Sequence, residues 1–112
     1  MGAPAAASIV LVRFPFSDLS QTKLRPAVVL ADAGRGDYIL CQITSKPYGD
    51  SRAVVIDDSD FQQGSLRVRS FARPGKLFTA NSELIGAEVA SLQSPGFERI
   101  INAVTELLHA GR

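Results

Sequence analysis

At 112 residues the chain is long enough for one domain with its own core, which should remove roughly 60–70% of its unfolded surface from water. Its hydrophobic fraction of 46% is ordinary for a globular protein, and no apolar run approaches the roughly 18 residues that a membrane-spanning helix needs. Lys and Arg total 12 against 11 Asp and Glu, so net charge favours no class of partner and only its distribution is informative.

The opening MGAPAAAS lacks the basic region and hydrophobic core of a signal peptide, and Ala6 breaks the myristoylation pattern. Residues 1–7 are expected to be a flexible segment ahead of a single domain over 8–112. Short β-rich runs then follow. Ser8 to Phe14 (SIVLVRF) stops at Pro15, and Ala27 to Ala31 (AVVLA) follows Pro26. Tyr38 to Thr44 (YILCQIT) comes after the turn signal AGRGD, and Ala53 to Ile56 ends at the acidic turn DDSD. Ser65 to Phe71 (SLRVRSF) alternates, and Lys76 to Thr79 and Leu84 to Ala90 are weaker strand candidates. Runs spaced near ten residues with Gly and Pro between them predict a small, mainly β barrel or sandwich.

The end of the chain reads differently. Ser94-Pro95 predicts an N-cap and a proline in the first helical position. Phe97, Ile100, Ile101, Val104, Leu107 and Leu108 form one apolar stripe, with Glu98, Arg99, Asn102, Thr105 and Glu106 opposite. The expectation is a C-terminal helix that packs on the sheet, with Gly111 able to end it.

Several residue groups could carry chemistry. Arg25 precedes Pro26, so its backbone is pushed toward extended geometry and its side chain leaves a strand entrance. A guanidinium stays charged and its planar fork suits a phosphate, but from spacing alone a solvated loop charge is the favoured reading. Thr44 and Ser45 sit where the third run ends; their hydroxyls could donate to a phosphate or bond their own backbone in a turn. Between Phe61 and Ser82 no acidic residue occurs, while Arg67, Arg69, Arg73 and Lys76 do. If Ser65 to Phe71 is a strand, Leu66 and Val68 face inward and Arg67 and Arg69 form an outer cationic stripe, either a polyanion footprint or a solvated face.

Other chemistries find little support. The single Cys41 cannot form an internal disulfide and fits a reducing, cytoplasmic compartment; with one His it is too little for zinc. His109 falls in the last helical turn, where a cation suits the dipole. No phosphate loop of the GxxxxGK type and no carboxylate pair for glycoside hydrolysis stands out. The expectation is a protein with no metal and no cofactor.

In order, the segments IVLVRFPFSD, KLRPAVVL, QITS and SLRVRSFARPGKLFT resemble the MazF/PemK toxins of bacterial toxin–antitoxin systems. RPAVVL is the most specific piece and RPGKLFT the second, and the likeness runs from Ser8 to the terminal helix. The resemblance implies a small SH3-like (CcdB/MazF-type) β-barrel with a C-terminal helix, usually a homodimer. It implies a metal-independent, sequence-specific endoribonuclease that cuts single-stranded RNA at short sequences, leaving 2′,3′-cyclic phosphate and 5′-hydroxyl ends. It also implies a cognate antitoxin with a flexible acidic segment, and contact with DNA only through that antitoxin. The family's arginine falls on Arg25 and its threonine on Thr44, the two implied catalytic residues. RNA is then expected along Lys23, Ser45, Arg67 and Arg69. Some members carry an acidic residue at the position that here holds Arg69, and Asp18 is the conjectured substitute. Two other readings stand beside this one: a non-cutting module of the same fold that binds RNA or an antitoxin, and a gyrase poison like CcdB.

Overall fold

In this computed structural model the structure describes residues 4–14 and 23–110. The conjectured Asp18 and the possible terminator Gly111 lie outside them. Seven strands precede one helix: β1 (Ser8–Phe14), β2 (Lys23–Gly34), β3 (Asp37–Thr44), β4 (Val54–Ile56), β5 (Phe61–Gly64), β6 (Ser70–Asn81), β7 (Ile85–Leu92) and α1 (Ser94–Ala110). They form one antiparallel sheet in the order β4-β6-β3-β2-β1-β7-β5.

That order forces the sheet to curl. β4 and β5 are its two edges, yet β5 starts five residues after β4 ends. Five residue steps reach at most about 18 Å, and the link includes a turn of 3₁₀ helix at Asp58–Asp60. A flat sheet of this order would separate its edge strands by six spacings of about 4.8 Å, or about 29 Å. The chain closes this gap only by rolling the sheet, and the molecule measures 32 × 31 × 29 Å. The fold is therefore mainly β with a C-terminal helix, as the strand spacing predicts. The roll stops short of a closed barrel, because the ladder order leaves β4 and β5 as edges.

Rolling buries both faces of the central strands. Ile9, Val28, Cys41 and Ile43 point to one side and pack with Ile100 and Val104 of α1. Val10, Val12, Ala27, Val29 and Leu40 point to the other. This is why the first three runs read as continuous apolar stretches rather than alternating ones. Residues ahead of β1 also meet the sheet: the Ala7 N–H donates to Val29 O, and its carbonyl accepts from Leu92 N.

Two strand expectations need correction, and one strand was not anticipated. Ser65 to Phe71 is not one strand, since residues 65–69 are an irregular crossing between β5 and β6. β5 itself, Phe61–Gly64, carries no alternation that would announce it. Gly64 ends it at φ +68°, where a Cβ would run into the Val89 carbonyl; the close approach to β7 leaves no room for a side chain. Lys76–Thr79 belongs to the same strand as Ser70 and Phe71, because β6 runs through Pro74 with a large register shift between its Ile43–Ala72 and Cys41–Leu77 pairs. Pro74 cannot donate to a ladder, so a bulge there lets the strand continue.

α1 spans the predicted range, but its cap is one residue earlier. Phe97 N–H donates to Gln93 O, so Gln93 rather than Ser94 caps the helix. The Gln93 side-chain amide also donates to Ser59 O and Phe61 O. Ile100 and Val104 are buried and Leu107 packs on Gly75, whereas Leu108 is exposed. Arg99, assigned to the polar face by periodicity, reaches back to the buried Asp60 at 2.8 Å. The same carboxylate accepts from Asp57 N at 2.8 Å and lies against Gly96 in the first helical turn. A carboxylate beside a helix N-terminus also meets the positive end of its dipole.

Two stability predictions follow from these contacts. Arg99→Ala leaves a buried acceptor with one fewer donor, and should lower unfolding free energy by about 1–3 kcal/mol, read as a shift in the urea midpoint at unchanged slope. Burial pushes the Cys41 thiol up to about 12; a hydrogen bond with the Arg73 backbone opposes the rise and the Asp50 charge adds to it. The unfolded chain therefore releases this proton at lower pH than the folded one, so the thiol's contribution is complete below the ordinary thiol range and fades as pH rises toward about 12. Cys41→Ala should make stability less sensitive to pH above 9 than it is in the parent, by denaturation at a series of pH values.

Candidate phosphate-binding pocket

The pairing of β2 with β3 sets the site. Ala27 is opposite Gln42, Val28 opposite Cys41 and Val29 opposite Leu40. Continued by two residues, this register puts Arg25 opposite Thr44. Side chains directly opposite across an antiparallel pair share a face, with Cβ atoms about 4.5–5.5 Å apart. Neighbouring ladders extend the row, with Val12 opposite Arg25 and Phe71 opposite Thr44. Pro26 pairs with Leu11 of β1 and lies one residue beyond the pairing with β3, near the end of the ladder where a proline is best tolerated.

Arg25, Thr44, Ser45 and Arg67 line one open pocket of about 390 Å³, together with Leu24, Pro26, Ile43, Leu66, Val68 and Ser70. Among the described residues its lining holds two guanidinium groups, three hydroxyls and no carboxylate. This concavity thus carries, among the described residues, charge of a single sign, suited to an anion. The Thr44 hydroxyl accepts from Lys46 N at 3.1 Å and donates to Lys46 O at 3.2 Å. The turn reading of the sequence is therefore realised, yet it is compatible with a ligand. The oxygen can keep the Lys46 N–H while its hydrogen swings to a phosphate oxygen.

Of the remaining predicted residues, Lys23 opens β2 opposite Phe14, and Arg69 is not in this pocket. Arg69 lines a neighbouring pocket of about 420 Å³ with Asp57, Asp58 and Phe61; Leu66, Arg67 and Val68 form the shared wall. Its guanidinium lies 5.6 Å from the Phe71 ring centroid. The alternating cationic stripe does not form: without a strand at 65–69, Val68 is 59% exposed instead of turning inward with Leu66. Sequence reasoning also missed Ser70, which is buried in the pocket wall with its hydroxyl donating to Val68 O at 2.9 Å. It missed the apolar rim of Leu24 and Val68 as well. Nothing in SLRVRSF separates an exposed valine at a crossing from a core valine in a strand.

Among the described residues no three His, Cys, Asp or Glu side chains gather as a metal site, and no helix is long and apolar enough to cross a membrane. The loop ahead of β4 is braced separately. Arg73 pairs with Asp50 at 2.9 Å, and this guanidinium first, with the Arg52 N–H, holds the Asp50 carboxyl below its ordinary range.

Comparison with known proteins places these features in a family. No curated protein matches the chain. Among solved structures, a MazE–MazF complex from Deinococcus radiodurans superimposes with TM-score 0.74 at 18% identity, covering 97% of this chain and 98% of the other. An endoribonuclease with its cognate antitoxin from a Mycobacterial species gives 0.73 at 12% identity, covering 96% and 95%. The Mycobacterium tuberculosis toxin MazF-mt6 gives 0.70 at 15% identity, covering 90% and 95%. At such identities these likenesses concern the fold. A family model described as PemK-like, MazF-like toxin of type II toxin–antitoxin system matches residues 5–108, nearly the whole chain, and the protein therefore belongs to that toxin family.

Proposed function

We propose that this toxin is an endoribonuclease that cuts single-stranded RNA without a metal, and that Arg25 and Thr44 act on the scissile phosphate. One observation carries the reading: the register of β2 on β3 brings these two residues into a pocket lined by cations and hydroxyls. The names of solved relatives support the activity, two of them being endoribonucleases of Mycobacterial species.

The chemistry asks little of the protein. The ribose 2′-oxygen attacks the adjacent phosphorus as its proton leaves. The bond from phosphorus to the 5′-oxygen breaks, and that oxygen takes up a proton. The products are a 2′,3′-cyclic phosphate and a 5′-hydroxyl. The nucleophile belongs to the substrate, so no metal-activated water is needed. Negative charge grows on the non-bridging oxygens, and Arg25 stands ready to meet it before reaction begins. Thr44 fixes one of those oxygens by its hydroxyl, and Ser45 stands next to it in the chain. Arg67 holds the backbone as it leaves the pocket, with Lys23 and Arg69 farther along the path.

A partner antitoxin with an acidic segment would compete for the same cations, and a homodimer is the expected assembly. A specific feature favours a second reading, an RNA-binding module that does not cut. Among the described residues no carboxylate or imidazole lines the pocket to take the 2′-hydroxyl proton, and the family resemblance sets Arg69 where some members carry an acid. A gyrase poison has no such support.

The test is incubation with a mixed RNA pool in a chelator, followed by sequencing of the ends. Cleavage with cyclic phosphate termini is expected. Arg25→Ala should lower the rate about 10²–10³-fold with the fold intact. If Arg25→Ala and Thr44→Ala both cut as well as the parent, the assignment is wrong; salt-sensitive binding without product would establish the second reading. In either case Arg67→Ala should reduce the slope of log affinity against log salt by about 0.7, the value for one lost contact to a single strand.

A further inference from the structure

The turn that leaves the pocket carries a residue whose conformation and exposure are not explained by folding. Pro47, Tyr48, Gly49 and Asp50 form a tight turn closed by Asp50 N–H to Pro47 O at 3.0 Å. Both central residues are left-handed, Tyr48 at φ +55° and Gly49 at φ +76°. Turns of this kind favour Asn-Gly, because asparagine tolerates the left-handed region and bulky residues do not. Tyrosine is a poor choice on backbone grounds. Nor does packing justify it: the ring is 81% exposed, the most exposed of the large hydrophobic side chains described.

We propose that Tyr48 is a base-stacking residue, which holds a nucleobase of the RNA strand next to the phosphate seated at Thr44 and Ser45. This inference rests on the ribonuclease reading of that pocket. Three features support it. Tyr48 follows Ser45 by three residues, so their Cα atoms lie at most about 11 Å apart, and a ring extending outward can meet an adjacent base. The turn is held in place: Asp50 accepts from Arg52 N at 2.9 Å and pairs with Arg73 of β6 at 2.9 Å. A braced turn gives up little backbone freedom when a base settles on its ring. Its setting also suits a nucleic acid better than a protein. Lys46, Ser51 and Arg52 around it are exposed and polar, so the ring stands alone rather than in the contiguous apolar patch of a protein interface. A lone aromatic face beside cations is how single strands are gripped without regard to sequence.

The test compares the full chain with Tyr48→Phe, Tyr48→Ala, Tyr48→Asn and Arg25→Ala, using fluorescence anisotropy of a labelled single-stranded RNA oligonucleotide that carries a 2′-deoxy sugar at each cleavable step. Tyr48→Phe should bind like the parent. Tyr48→Ala and Tyr48→Asn should bind about 5- to 150-fold more weakly, the range for losing one stacked base. Tyr48→Asn should meanwhile unfold at the same or a higher temperature than the parent, since it relieves the turn. A purely structural tyrosine would instead lose stability and keep its affinity for RNA. If Arg25→Ala weakens binding while the Tyr48 variants bind as the parent does, the stacking role is overturned and the pocket reading stands. If the parent itself binds no RNA, both fall together.

Discussion

The register of β2 against β3 is the constraint on which the site depends. Side chains alternate along a strand, so slipping this pairing by one residue would turn Thr44 away from Arg25 and expose the buried row behind them. The slip is opposed by the core. Val28 and Cys41 sit opposite each other in the cluster under α1, while Val29 and Leu40 sit opposite each other in the cluster on the other face. With both faces buried, no neighbouring register is tolerable. The site is thus an extension, by two residues, of a ladder fixed by apolar packing, and its precision derives from that packing rather than from loop contacts.

The same rolled sheet explains where the charge goes. The short link from β4 to β5 draws the sheet's edges toward each other, and the following crossing must then travel from β5 to β6. That crossing, residues 65–69, carries Arg67 into the pocket beside Arg25 and leaves Arg69 on its far side with Asp57 and Asp58. Among the described residues a near-neutral sequence thus sets a cation-lined concavity beside one of mixed charge, sharing a wall. Focusing of this kind is a property of placement, which neither composition nor net charge reveals.

Much of the architecture was legible in the chain. β1, β2 and β3 each contain one of the predicted runs, and α1 was given by its stripe. Pro26 and the end of the third run placed Arg25 and Thr44 at the ends of strands, but only the family resemblance singled them out from ordinary surface residues. What escaped was tertiary. β5 is four residues long, paired on one side only, and has no alternation to betray it. SLRVRSF imitates a strand, but Gly64 and the need to cross the sheet dictate an irregular path. RPG reads as a break, yet β6 absorbs it as a bulge since β3 and β4 hold the strand on both sides. Arg99 lies on the polar face by period, but Asp60, thirty-nine residues away in sequence, claims it.

The central claim is that Arg25 and Thr44 act on one phosphate, not merely that each contributes to activity. A double-mutant cycle on RNA cleavage measures this directly, with Arg25→Ala, Thr44→Ala and the pair compared under single-turnover conditions. Residues that hold the same group are non-additive, so the double variant should cut about as slowly as the slower single variant. Losses that simply multiply would mean that the two residues serve separate contacts, and would contradict the account.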